Sequence, residues 1–141
     1  MSAEENKAII RRWVEELNKG NLDMADEFYA ADFVLHDSGG PPNLPRGPEA
    51  IKQSARPFIA AVPDMKFTIE RLVAEGDTVA GWGTLSGTHQ GELAGISGTG
   101  KPVSIIMMNI ARFADGKIAE EWQLGDNLTL MQQIGAIPTP G

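Results

Sequence analysis

Apolar residues recur at helical spacing in the first part of the chain and alternate with polar ones in the second. Ile10, Trp13, Val14 and Leu17 form one stripe near a period of 3.6, which predicts an opening helix that ends near Gly20. Ser2 followed by Glu5 has the make-up of a capping box, in which each side chain satisfies a free backbone N–H. Asn21 is placed to cap a second, shorter helix through Phe28, with Leu22, Ala25 and Phe28 inward. Phe33 to His36 reads as a short strand leading into the glycine- and proline-rich stretch from Gly39 to Gly47, which cannot be regular. Pro48 suits the first turn of a third helix that contains Ile51 and runs toward Ala61. Pro57 inside it removes an N–H donor and should kink or interrupt it.

From Met65 onward the pattern is that of strands: Met65–Glu75, Thr78–His89, Pro102–Ala114 and Lys117–Gly125. Gly76-Asp77 and Asp115-Gly116 are tight turns, and Gln90–Lys101 is a longer glycine-rich connection. Helices first and antiparallel strands after them predict a segregated α+β fold in a single domain, residues 1–141, with the curved sheet wrapped around the helices over an apolar cavity. Gly81, Gly83 and Gly87 fall in one strand, where they would ease bending or mark a weak edge.

A two-residue turn at Asp115-Gly116 pairs Ala114 with Lys117. If pairing continues without a slip, Phe113 faces Ile118, Ala111 faces Glu120, Asn109 faces Trp122, Met107 faces Leu124 and Ile105 faces Asp126. That face is mostly apolar, with Asp126, Asn109 and Glu120 as its polar members, and Glu120 belongs at the rim because an unpaired buried carboxylate is costly. In such a setting the charged form of Asp126 is disfavoured and its pKa rises toward the range useful for proton transfer. The competing reading is that Asp126 caps a final helix, Asn127–Ile134.

Composition narrows the chemistry. The 141 residues include no cysteine, so disulfides, thiolate nucleophiles and cysteine metal sites are excluded. The first residues lack the basic start and apolar core of a secretion signal, and no apolar run spans a bilayer, so a cytoplasmic protein without a membrane partner is expected. A formal charge of −7 disfavours nucleic acid as a partner. His36 beside Asp37 and His89 within Gly87–Gly91 close two strands; each could orient a substrate or serve as a hydrogen-bonded structural residue. No His-x-His or Glu-x-x-His spacing supports a metal site. There is no Gly-x-Ser-x-Gly elbow, and Gly95–Gly100 lacks the Lys-Ser/Thr ending and the βαβ context of a phosphate loop.

Taken in order, several pieces resemble the SnoaL-like polyketide cyclases, within the superfamily of ketosteroid isomerase, scytalone dehydratase and nuclear transport factor two. They are the opening helix with Trp13, Phe33 to Asp37, Arg46 to Ile51, Pro63 to Ile69, Gly87 to Gly91, Gly116 to Trp122, Asp126, and Leu130 to Gly135. The resemblance implies a conical α+β barrel and a cofactor-free intramolecular aldol closure of a polyketide ester. It makes an Asp after the Glu-x-Trp strand the general acid/base, a position that Asp126 matches by its distance from Trp122. His89, His36 and Asn109 are then the candidate donors or orienters, and Trp122, Met107, Ile105 and Leu124 the walls around a small apolar or aromatic substrate. The family's enzymes set polar residues such as Gln or His opposite the catalytic Asp, where this chain offers Asn109 and Met107. The alternatives are an isomerase or hydrolase of another small apolar substrate, or a non-catalytic binding module. An epoxide hydrolase would want an Asp-Arg-Asp network, and Arg112 falls on the opposite face of the hairpin from Asp126. Ile106, Met108 and Ile110 make that other face apolar and suggest a homo-oligomer, a dimer or tetramer.

Overall fold

A computed structural model describes residues 2–140; Met1 and Gly141 lie outside the described residues. Helix α1 (Ala3–Asn18) begins with the expected capping box, Ser2 and Glu5 bonding reciprocally. A 3-10 turn (Leu22–Met24) leads into the four-residue α2 (Ala25–Phe28). Asn21 does not cap it; its side-chain amide donates instead to Glu16 at 2.8 Å. Strand β1 (Tyr29–Ser38) is longer than the short run expected around Phe33. Helix α3 (Pro48–Ala61) starts with proline in its first turn and continues through Pro57 without interruption. Strands β2 (Lys66–Glu75), β3 (Thr78–Thr88), β4 (Pro102–Ala114) and β5 (Lys117–Gly125) follow, then helix α4 (Asn127–Ile134).

The strands form one curved sheet in the order β1-β5-β4-β3-β2. Neighbours from β5 to β2 are antiparallel, but β1 joins β5 in parallel, so the sheet is mixed and the barrel remains open, with β1 and β2 as edges. Part of the β2 edge is covered. The Asn18 side chain at the end of α1 donates to the Phe67 carbonyl at 2.9 Å and accepts from the Phe67 N–H at 2.8 Å, satisfying backbone groups that a bare edge would present for pairing.

Strand β3 lies inside the sheet, so its glycines mark curvature rather than an edge. A Cβ at Gly83 would fall 2.4 Å from the Thr68 carbonyl oxygen, and one at Gly81 2.8 Å from that of Arg71. Only hydrogen at these positions lets β2 curl this tightly over β3. Two apolar clusters fill the ends of the fold. One gathers Trp13, Phe28, Tyr29, Phe33 and Ile118; the other gathers Val62, Leu85, Ile105, Leu130 and Ile134. The space between them is not filled.

Candidate active site

That space is a cavity of about 680 Å³ between the concave sheet and helices α1, α3 and α4. Its walls are mainly apolar: Trp13 and Leu17 from α1, Phe58 from α3, Leu72 from β2, Ile105 and Met107 from β4, and Met131 from α4. Polar groups collect on one wall, where Tyr29 and Asp37 (β1), Ser54 (α3), Asn109 (β4), and Glu121 and Gln123 (β5) meet.

A bulge explains why these residues point inward. Ala114 pairs with Lys117 and Phe113 with Ile118 as expected, but the next pair is Arg112 with Glu120. Ala119 is therefore an extra residue in β5. Since side chains alternate along a strand, one inserted residue turns over everything beyond it. Ala111 now faces Glu121, Asn109 faces Gln123 and Met107 faces Gly125. The parallel register of β1 agrees, setting Leu35 beside Glu121 and Asp37 beside Gln123.

The bulge corrects several expectations. Ile105, Met107 and Asn109 line the cavity, as their strand predicts. Trp122 and Leu124 do not; they stand on the convex face, 43% and 58% exposed. Glu120 shares that face, where its carboxylate bonds the His36 Nε2 at 2.8 Å and the Arg112 Nε at 3.3 Å. These two partners, His36 first, hold its carboxyl below the usual range. His36 also stacks on Trp122, with ring centroids 5.1 Å apart, and so lies on the opposite side of the sheet from the cavity. His89 is fully buried, but outside the cavity lining. Its Nδ1 accepts the Thr99 N–H at 3.3 Å and its backbone bonds Lys101 and Gly100, which pins the two ends of the Gln90–Lys101 connection together.

Asp126 is likewise not desolvated. It caps α4, accepting the Thr129 hydroxyl at 2.7 Å and the Thr129 N–H at 3.1 Å, with its side chain exposed. Those bonds, the hydroxyl's first, hold its carboxyl below the usual range, the reverse of the expected rise. Asp126 ends up beyond the last residue of β5, where the chain has already turned into the helix.

The desolvated carboxylate is Glu121. Only 5% of its surface is exposed, and burial pushes its pKa up to about 7. Hydrogen bonds from Asn109, at 3.2 Å, and from Tyr29 favour the charged form but do not cancel the burial, and the like charge of Asp37 adds to the rise. Tyr29 is held by edge contacts with Trp13, centroids 5.5 Å apart, and with Phe33 at 4.6 Å, so its phenol is rigidly placed. Burial, then the charge of Glu121, holds that phenol well above its ordinary pKa, and it stays a protonated donor.

Glu121, Gln123, Asp37, Ser54 and Tyr29 escaped the sequence reading. The signal available was the strict alternation of Glu121 and Gln123 with Trp122 and Leu124. Hydrophobicity turned it the wrong way round, because β4 offers apolar side chains on both of its faces.

Among the described residues no group of three or more His, Asp or Glu is arranged to hold a metal ion, and no helix is long and apolar enough to cross a membrane.

Comparison with known proteins adds lineage to this geometry. The family model for SnoaL-like polyketide cyclases matches residues 7–134. The aklanonic acid methyl ester cyclase DauD of Streptomyces sp. (strain C5) is 33% identical, over 94% of this chain and 83% of its own length. The crystal structure of wild-type IdmH, a candidate polyketide cyclase from Streptomyces antibioticus, is 34% identical with a TM-score of 0.81, over 92% of this chain and 98% of IdmH. That of AclR, a candidate hydroxylase from Streptomyces galilaeus, is 27% identical with a TM-score of 0.87, over 99% of this chain and 87% of AclR. A helix-covered curved sheet, a cavity with polar groups gathered on one wall, and a match over most of the length agree: the chain belongs to the SnoaL-like polyketide cyclase family.

Proposed function

We propose that this protein closes a ring in a polyketide ester by intramolecular aldol condensation, without a cofactor, and that Glu121 is its general acid/base. The observation that carries the reading is a carboxylate buried in the wall of an apolar cavity; that burial pushes its pKa up to about 7, where a group can take up a proton and give it back at neutral pH. Glu121 takes a proton from a carbon flanked by carbonyls. The enolate carbon attacks a second carbonyl of the same molecule, a C–C bond forms, and the new alkoxide receives the proton. Substrate and product have the same composition. Gln123, which gives one amide N–H to Ser54 and keeps a second, is the donor on the cavity wall that can meet the enolate oxygen, joined by Tyr29 once Glu121 carries the proton, and in a dry site such bonds are stronger than in water. Trp13, Ile105 and Met107 offer the apolar surface for a flat ligand.

Aklanonic acid methyl ester, the compound named for DauD, is the trial substrate. Glu121→Gln should abolish turnover while Asp126→Asn retains most of it. The opposite result would return the base to Asp126, and turnover unchanged in both would remove these two carboxylates as the base. Epoxide hydrolysis by an Asp-Arg-Asp network is not favoured, because Arg112 is engaged with Glu120 on the convex face.

We assign that convex face to a second copy of the chain. Met108, Ile110, Trp122 and Leu124 are exposed there together, and a two-fold axis through such a patch buries it against itself. Sedimentation at increasing concentration tests this, and a monomer throughout would reject it.

A further inference from the structure

Two carboxylates, not one, face the cavity, and a continuous line of side chains connects them. Ser54 donates its hydroxyl to Asp37 Oδ2 at 2.5 Å. The Ser54 oxygen accepts from Gln123 Nε2 at 3.4 Å. Gln123 Oε1 accepts from Asn109 Nδ2 at 3.3 Å, and the same Asn109 nitrogen donates to Glu121 Oε2 at 3.2 Å. Every group in this line has a direction set by its neighbour. A carboxylate can only accept, so Asp37 turns the Ser54 proton toward itself. Ser54 then presents a lone pair to Gln123, which must offer its N–H₂ there and its carbonyl to Asn109. Asn109 is left with its N–H₂ toward Gln123 and Glu121. Reversed, the line would aim an amide oxygen at the buried carboxylate.

We propose that Asp37 is a positioning residue of the site: acting through Ser54 and Gln123 it orients the Asn109 amide toward Glu121, and it sets a second carboxylate on the same cavity wall. The inference rests on the reading of Glu121 as the acid/base. Its two arms act oppositely on Glu121, since the oriented amide favours the carboxylate and the like charge disfavours it. Together they hold the group where it can both accept and return a proton. The fold builds Asp37 in. A Cβ at Gly40 would fall 2.0 Å from Asp37 Oδ2, so glycine there leaves the carboxylate its place against Ser54.

Little else in the cavity bears on this charge. Tyr29 and Asp37 of β1 and Glu121 of β5 are its titratable lining residues; α1, α3, α4, β2, β3 and β4 contribute none. The buried Lys52 of α3 is engaged elsewhere, with Asp26 at 3.0 Å and Asp23 at 3.5 Å.

The test is the titration of the Glu121 side-chain carboxyl, followed by carbon NMR on the free protein with ¹³C-labelled glutamate. Glu121→Gln identifies the resonance by removing it. Asp37→Asn keeps an acceptor for Ser54 but deletes the charge, and should lower the Glu121 midpoint by about half a pH unit or more. Ser54→Ala keeps the charge but breaks the line, frees the amides to turn over, and should raise the midpoint. Shifts of opposite sign in two variants that melt like the parent support the proposal. Shifts of the same sign, or no shift with Asp37→Asn, overturn it. Should one variant fail to fold, Gly40→Ala, which crowds the Asp37 carboxylate off Ser54, replaces it; an unmoved midpoint there overturns the proposal too. Because no turnover is measured, failure here is separable from failure of Glu121 as the base, which the activity of Glu121→Gln decides.

Discussion

The two faces of β5 invert the usual distribution of residues. On the concave side, covered by helices, stand Glu121 and Gln123; on the convex side stand Trp122 and Leu124. A strand under selection for stability alone would be the other way round, with the aromatic and the leucine inside. The inversion costs the fold a buried carboxylate and an exposed apolar patch. Both are explained if the concave wall is kept for chemistry and the convex one for a partner. A second contrast makes the same point with one functional group. Glu121 and Asp126 lie close together in sequence, yet burial drives one carboxyl up to about 7 while a helix cap holds the other below its usual range. Environment, not residue type, sets the two carboxyls apart in pKa.

The largest expected effect lies on the concave face. Glu121→Gln should reduce kcat by roughly 10²- to 10⁴-fold, the scale of a lost general acid/base, with the fold intact by circular dichroism. A loss of less than tenfold would mean that Glu121 is not the proton carrier.

The same substitution should stabilise the protein at alkaline pH. The folded-state pKa of Glu121 is raised from 4.5 to about 7, so its contribution to stability is fully present below pH 4.5 and is lost as pH rises through 7. The forfeited stability is roughly 3 kcal/mol, a loss that a neutral amide in place of the carboxyl would not incur. Denaturant unfolding of the two proteins at pH 5 and pH 9 should show a gap that opens only at the higher pH; parallel curves would place Glu121 in contact with water.

Asp126→Ala should lower Tm by the loss of an exposed N-cap while leaving kcat within a few-fold. A collapse of kcat with unchanged Tm would erase the contrast between the two carboxylates.

The smallest effect on the fold belongs to the convex face. Leu124→Ser should change stability by no more than about 0.5 kcal/mol in a monomer and leave turnover unaltered. Its measurable consequence is a fall in sedimentation coefficient if two copies meet there.

Most elements were legible from local patterns. The Ser2–Glu5 box, proline at the head of α3 and the Asp115-Gly116 turn each act within a few residues, so the elements they start or join stand where expected. The parallel docking of β1 on β5 was not legible, because it joins segments nearly ninety residues apart and leaves no local mark. Nor was the identity of the inward set on β5. Ile106, Met108 and Ile110 alternate with Ile105 and Met107, so β4 is apolar on both sides and cannot tell its neighbour which way to face.

The chain by itself therefore determined the α+β class, the hairpin, the chemistry excluded by the lack of cysteine, and a family resemblance spread over most of its length. Which carboxylate of β5 and the turn after it enters the cavity was decided by tertiary structure alone. A single extra residue, Ala119, turns β5 over, and whether a strand accommodates such a bulge depends on the curvature of the sheet around it rather than on the bulged residue itself.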